Sequence, residues 1–478
     1  MRPGFVHRVV RVSPLRFSVY RAAVATERTG RDVIPLRTAT KVWLEISLQS
    51  FGGPAGQIAV MQHKLVDEKR WIGQRRFLHA LSFCMLLPGP EAQQLAVYTG
   101  WLLNGTRGGL VAGALFVLPG MLALLVLSWV YVAFGDAGLV DAVFSGIAPA
   151  VIAIVVQAVL RVGRRSLDHP VLVGLAVAAF LALTLFAVPF PAVVLGAGLL
   201  AWVLSRRFPD LTLTRGRRPD DGGPPSLISD DVLHHELPTR RRTLAVLGIG
   251  LSAWFAPVVA VGLLVSSTPV FLDMGLFFSG AAVVTFGGAY AVLAYVAQQA
   301  VGVYAWLTPG EMVRGLALAE TTPGPLIMVL QFVAFVGAYR SPGDLNPWLA
   351  AVLASLLVTW VTFVPSFLFV FLGAPLMERL RDNRHLTAAL NGITAAVVGV
   401  IANLAVFFAL HNLFRTVRVT RVGPLRLEVP DPGSWAPVAF GITGFALVAM
   451  LWRGWGTLRT LGACALIGLA VYGVRLVA

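Results

Sequence analysis

FLHALSFCMLLPGPEAQQLAVYTGWLL, residues 77–103, is an apolar segment with Pro88-Gly89-Pro90 near its middle. About 20 apolar residues suffice to cross a bilayer, so this stretch is long enough. Proline lacks a backbone donor and its ring collides with the preceding turn. Two prolines around a glycine therefore break a helix rather than bend it. Residues 311–338, EMVRGLALAETTPGPLIMVLQFVAFVGA, carry the same feature as Pro323-Gly324-Pro325. Irregular backbone at membrane depth persists only where protein or a polar cavity surrounds it. The half-helix after each break has free N–H groups and the positive end of its dipole at the break, an anion site made of backbone. Broken helices at matching places in two repeats point to a transporter's binding site. A packing kink is the blander reading, and its occurrence twice weakens it.

The rest of the chain agrees with a membrane setting. Of 478 residues 57% are hydrophobic and 13% charged, with mean hydropathy +0.78. Soluble domains carry about 25% charged residues. The formal charge of +15 sits mostly in short loops and the N-terminal stretch. Positive loops stay cytoplasmic, so topology explains this charge better than nucleic-acid binding does. Cys84 and Cys464 lie in separate apolar segments and form neither a disulfide framework nor a metal-ligand spacing. No P-loop, HExxH or GxSxG occurs, which argues against an enzyme and implies no cofactor. The Gly-x-Gly-x-x-Ala strings at Gly196 and Gly248 fall inside apolar segments and are not dinucleotide loops.

Apolar segments lie at roughly 41–64, 77–103, 108–134, 138–163, 169–186 and 188–205, then at 243–265, 271–298, 311–338, 346–373, 386–412, 433–452 and 457–477. Residues 1–40 form a basic tail with eight arginines and two acids, and 206–242 a polar linker rich in Gly, Pro and Arg. A shift of 235 residues carries Phe51-Gly52-Gly53 onto Phe286-Gly287-Gly288, Trp71 onto Trp306, and Pro88-Gly89-Pro90 onto Pro323-Gly324-Pro325. A shift of 246 then carries Pro119 onto Pro365 and Gly146-Ile147 onto Gly392-Ile393. Ordered matches at constant spacing mean duplication. The fold class is an all-α polytopic membrane protein of two homologous helical repeats, 41–205 and 271–478, joined by a cytoplasmic linker, 206–242, and a connecting helix, 243–265. An odd number of segments separates the copies, which inverts the second. The loop after segment one holds Lys64, Lys69, Arg70, Arg75 and Arg76, and its counterpart in copy two has lost all five cations. The basic loop 413–432 fits neither orientation well.

Candidate substrate-binding residues cluster at the interruptions. Gly52 and Gly53, like Gly287 and Gly288, permit unusual backbone angles and close approach. Pro88, Gly89 and Pro90, with Pro323, Gly324 and Pro325, form the breaks. Gln93, Gln94, Thr321 and Thr322 beside them are neutral groups suited to oxyanion oxygens. Ionisable residues inside spans are costly, so two carboxylates stand out. Glu91 follows the first break, where the dipole favours a carboxylate. Glu320 precedes the second, at a half-helix C-terminus where the dipole disfavours one, which makes it the better candidate for proton coupling.

Ser50-Phe51-Gly52-Gly53-Pro54, Trp71, Leu87-Pro88-Gly89-Pro90-Glu91, Gln94-Leu95-Ala96 and Leu118-Pro119-Gly120 together resemble the chromate ion transporter (CHR) family. Thr285-Phe286-Gly287-Gly288 and Glu320-Thr321-Thr322-Pro323-Gly324-Pro325 look like that family's second domain. The resemblance implies the long, two-domain type and efflux of chromate, a structural analogue of sulfate, across a bacterial inner membrane, with chromate resistance as the outcome. Ala289 stands where the second copy would repeat Pro54, so the copies are unequal. The expected partners are a chromate- or sulfate-like oxyanion and the lipid bilayer, with no nucleic acid, and a homodimer is compatible. A different oxyanion, the opposite direction and an anion channel remain alternatives. Reporter fusions at residues 70 and 305 are expected to report opposite sides of the membrane. A common side would rule out inversion.

Overall fold

Broken apolar segments become pairs of short helices in the computed structural model, which describes residues 33–51, 53–135, 137–208, 227–228, 239–264, 269–286, 288–374 and 384–477. Copy one runs α1 (Leu36–Gln49), α2 (Gly53–Gln62), α3 (Gln74–Cys84), α4 (Glu91–Phe134), α5 (Gly138–Ser166), α6 (Pro170–Phe186) and α7 (Phe190–Leu204). After α8 (Arg240–Leu264), copy two runs α9 (Pro269–Val284), α10 (Ala289–Gly302), α11 (Pro309–Thr321), α12 (Val329–Arg340), α13 (Pro347–Gly373) and α14 (Arg384–Leu413). The hairpin β1 (Val417–Val422) and β2 (Leu425–Pro430) precedes α15 (Pro437–Leu447) and α16 (Thr457–Val477). Among the described residues six helices are long and apolar enough to cross a membrane: α4, α5, α8, α13, α14 and α16.

Several expectations change. The first helix starts at Leu36, inside the stretch read as a tail, while residues 1–32 lie outside the described part. Segments 77–103 and 108–134 meet within α4, whose backbone leaves helical angles only at Asn104 and Gly105. The chain doubles back there, for a Cβ on Gly100 would stand 2.5 Å from the Gly108 carbonyl oxygen. The Gly109/Gly113 pair is part of this contact, with Val97 and the Phe367 ring filling the space a side chain at Gly113 would need. The polar linker is pinned at one point among its described residues. The Leu227 and Ile228 amides donate to the Arg70 and Trp71 carbonyls at 3.1 and 3.0 Å, and Ile228 is buried. The basic loop 413–432 forms the antiparallel hairpin, with Arg421 opposite Arg426.

The duplication reaches individual hydrogen bonds. Ser50 and Thr285 each return their hydroxyl to the carbonyl four residues back, both at 2.6 Å. Trp71 and Trp306 amides donate to Leu65 and Ala300, both at 2.8 Å. Arg70 and Ala305, also 235 residues apart, are two of the three described non-glycine residues with positive φ, at 53° and 51°. Gly53, Gly89, Gly288 and Gly324 have positive φ as well, two matched pairs.

The copies exchange partners. Gly392 of α14 lies against α7, where a Cβ would meet Ala201 Cβ at 2.2 Å and the Ala197 oxygen at 2.7 Å. Its counterpart Gly146 of α5 lies against α16, where a Cβ would meet the Cys464 oxygen at 2.2 Å. Each copy's fourth long segment thus grips the other copy's closing helices. Small residues permit this approach, which dispersion and packing reward inside lipid. Two apolar cores result. The smaller gathers α1–α3 and the first part of α4. The larger takes the remainder of both copies. On α8, Leu244, Ile249 and Leu263 face outward, as a lipid-facing helix requires.

Gly146→Ala and Gly392→Ala are expected to lower stability by about 1–3 kcal/mol, because backbone and packed Cβ atoms occupy the space. Gly174→Ala and Gly248→Ala, with nothing within 4 Å, should be neutral or gain about 0.8–1 kcal/mol from helix propensity. Thermal unfolding in detergent checks the opposite signs.

Candidate oxyanion site at crossed helix breaks

Each break is held by the other copy. The Gly89 amide donates to the Thr285 carbonyl at 2.8 Å, and the Gly324 amide donates to the Ser50 carbonyl at 2.8 Å. The four residues form two pairs under the same 235-residue shift, so the contact is reciprocal. The reason lies in the sequence. Each Pro-Gly-Pro removes two donors and frees carbonyls, and each Phe-Gly-Gly ends a helix whose last carbonyls lack partners. Lipid satisfies neither, so they satisfy one another. Gly52 and Gly287 lie outside the described residues. Gly53 and Gly288 follow them with φ of 71° and 104°.

Around break one, Ser366 Oγ and Gln94 Nε2 stand 2.8 and 2.9 Å from the point where a Cβ on Gly89 would be. Gln94 donates to the Pro88 carbonyl at 2.6 Å, and Gln93 donates to the Phe363 carbonyl of α13 at 3.4 Å. Helix α4 starts at once, with the Gln94 amide on the Pro90 carbonyl at 3.0 Å. Glu91, partly buried, has Oε1 3.9 Å from a Cβ position on Gly288.

Break two is built differently. A 3₁₀ turn, Leu326–Met328, precedes α12 and occupies the Met328 amide on the Pro325 carbonyl at 2.9 Å. Gly120 backbone lies 3.2 Å from a Cβ position on Gly324. Gln57 donates to the Gly324 carbonyl at 2.6 Å. Thr321 and Thr322, expected as free donors, spend their hydroxyls on the Leu318 and Ala319 carbonyls at 2.7 and 2.9 Å. Glu320 is only 3% exposed and accepts a hydrogen bond from the Tyr290 hydroxyl at 2.6 Å. Tyr290 and Gln57 were not singled out from the sequence. Their signal was position: each stands within five residues after a Gly-Gly pair.

Outside the crossing, a cavity of about 580 Å³ lies between the end of α5 and the turn after α15, lined by Arg161, Arg164, Arg165, Gln157 and Trp452.

Comparison with known proteins gives the crossing its context. The family described as chromate transporter matches residues 38–202 and 272–469. The chromate transport protein of Pseudomonas aeruginosa is 33% identical over 392 residues, 80% of this chain and 84% of that protein. The chromate transport protein of Cupriavidus metallidurans is 28% identical over 379 residues, 79% of this chain and 84% of that one. The probable chromate transport protein of Synechococcus elongatus is 27% identical over 382 residues. No solved structure matches the chain.

Gly89→Ala and Gly324→Ala both force an L side chain into positive φ, at about 1–2 kcal/mol. At Gly89 the obstructing atoms are ends of side chains, which can turn away. At Gly324 they are backbone. Gly324→Ala is therefore expected to lower the unfolding temperature further than Gly89→Ala, read by thermal unfolding in detergent.

Proposed function

This chain belongs to the chromate transporter family, and on that premise we propose that it is a secondary active transporter exporting chromate across the bacterial inner membrane, with chromate resistance as the result. The observation that carries this reading is the reciprocal crossing of two broken helices, Gly89 on Thr285 and Gly324 on Ser50. Each break is buried against a helix end of the other copy, and broken helices at matching places of two repeats are where transporters hold ions. Relatives named as chromate transport proteins supply the substrate class. The cavity lined by Arg161, Arg164 and Arg165 would attract a dianion to the protein by its field. An inside-negative membrane favours exit of a dianion by about 2.3 kcal/mol per charge per 100 mV.

The copies are inverted in this proposal, and the linker 206–242 is cytoplasmic. Rocking of one copy against the other does not suit the exchanged helices. The division between the two cores supplies a better pair of moving bodies, α1–α3 with the first part of α4 against the rest. Glu320, hydrogen-bonded to Tyr290, is the proposed proton carrier. A buried carboxylate near the crossing can exchange protons as access alternates, while Glu91 lies beside the Gly288 turn.

Everted vesicles containing the protein are expected to take up chromate above vesicles lacking it, and faster with an acidic interior. Glu320→Gln should keep chromate counterflow and lose the response to the gradient. Uptake no greater than in control vesicles would remove chromate as the substrate. A wild-type rate indifferent to the gradient would remove Glu320 as a coupling residue.

A further inference from the structure

Two buried hydroxyls near break one have no partner. Every other buried Ser or Thr among the described residues gives its hydroxyl a hydrogen bond, most often to a carbonyl of its own helix three or four residues back. Thr362 and Ser366 of α13 do not, although they are 2% and 0% exposed. Nor do the amide oxygens of Gln93 and Gln94, both 0% exposed. Native proteins seldom leave buried polar atoms unpaired, and each such atom carries a desolvation cost. Four within one neighbourhood indicate a missing occupant. The neighbourhood is defined by contacts already described. Gln93 reaches the Phe363 carbonyl, one residue from Thr362, and Ser366 Oγ flanks Gly89 together with Gln94.

The second break lacks this set. Under the same shifts, Gln93 and Gln94 become Met328 and Val329, while Thr362 and Ser366 correspond to Phe116 and Gly120. At break two Gly120 backbone stands 3.2 Å from a Cβ position on Gly324, and the counterparts of the four unpaired groups carry no hydrogen-bonding side chain. Its nearest comparable atom, Gln331 Oε1, belongs to a side chain whose nitrogen already donates to the Met121 carbonyl at 3.1 Å, six residues beyond Pro325.

We propose that the oxyanion is bound on one side of the crossing only, at break one, with Thr362 and Ser366 of copy two completing a pocket begun by Gln93 and Gln94 of copy one. This rests on the oxyanion-transport reading above and narrows it. The hydroxyls donate to oxyanion oxygens, as do the free amides at the start of α4. The two Gln oxygens can only accept, so they are served by a water or by a proton on the bound oxyanion. Neutral donors suit a tetrahedral anion here, because a fixed cation at this depth would be costly and would hold the anion too tightly to release. Break two, which lacks these four groups, is the structural counterpart of break one and binds no anion.

The test uses purified full-length protein in detergent, with chromate and sulfate as probes and equilibrium binding and thermal unfolding as readouts. Thr362→Val and Ser366→Ala remove the hydroxyls with little change of shape. Each is expected to weaken anion binding by about tenfold or more, the scale of losing a hydrogen bond to a charged group. Without anion, the same variants should unfold at the wild-type temperature or above, because an unpaired buried hydroxyl has been removed. A purely structural hydroxyl would lower that temperature instead. Thr362→Ser and Ser366→Thr should retain binding. Wild-type affinity in Thr362→Val and Ser366→Ala would overturn the proposal, as would a loss confined to Gln331→Met at break two. If wild-type protein binds neither anion, the oxyanion reading itself fails and the proposal with it. That outcome is distinct from binding that ignores the four residues.

Discussion

A broken helix inside a membrane exposes amides and carbonyls that lipid cannot satisfy. This chain pairs each break with the helix end of the other copy, through Gly89 on Thr285 and Gly324 on Ser50. The remaining architecture follows from those two bonds. Both Pro-Gly-Pro turns must lie beside both Phe-Gly-Gly turns, so the copies cannot stand apart. Each copy's closing helices then lie against the other copy, and the glycines at 146 and 392 let α5 approach α16 and α14 approach α7.

The parts of this design that depend on backbone chemistry were legible in the sequence. Pro-Gly-Pro in an apolar run has few physical meanings, and its recurrence after 235 residues identified the duplication and the location of the breaks. What depended on side-chain destination was not legible. Thr321 and Thr322 looked like free donors, yet a hydroxyl in a helix can return to its own backbone, and both do. Thr362 and Ser366 looked like ordinary span residues beside Pro365, and only burial without a partner distinguishes them. Tyr290 has no motif of its own, since its role comes from the 2.6 Å contact with a carboxylate 30 residues away. Exchange of closing helices between copies was also invisible, because periodicity records that a face is buried and not what buries it.

Duplication produced symmetry in the backbone and asymmetry in the chemistry. Matched hydrogen bonds recur to a tenth of an ångström at Ser50 and Thr285 and at Trp71 and Trp306. Apart from Ser50 and Thr285, the polar side chains around the breaks do not recur. The carboxylate follows one break and precedes the other, an α-helical start is matched by a 3₁₀ start, and the unpaired amide and hydroxyl groups of break one have no polar counterparts at break two. The cores are unequal too, with α1–α3 set apart while α9–α12 merge with the larger body. A scaffold that repeats while its side chains diverge can assign different tasks to equivalent places.

The reciprocal bonds have the form of an isologous contact, in which one surface meets another copy of itself across a two-fold axis. Two identical unlinked chains could close the same pair of bonds, but every substitution would then appear at both breaks at once. Fusion into one polypeptide removes that restriction and also holds the partners at a high effective concentration. A mutation that emptied one break of polar groups could then be kept while the other break retained them. The covalent connection between the halves thus contributes more than stoichiometry: it separates the mutational fates of two positions that geometry keeps equivalent.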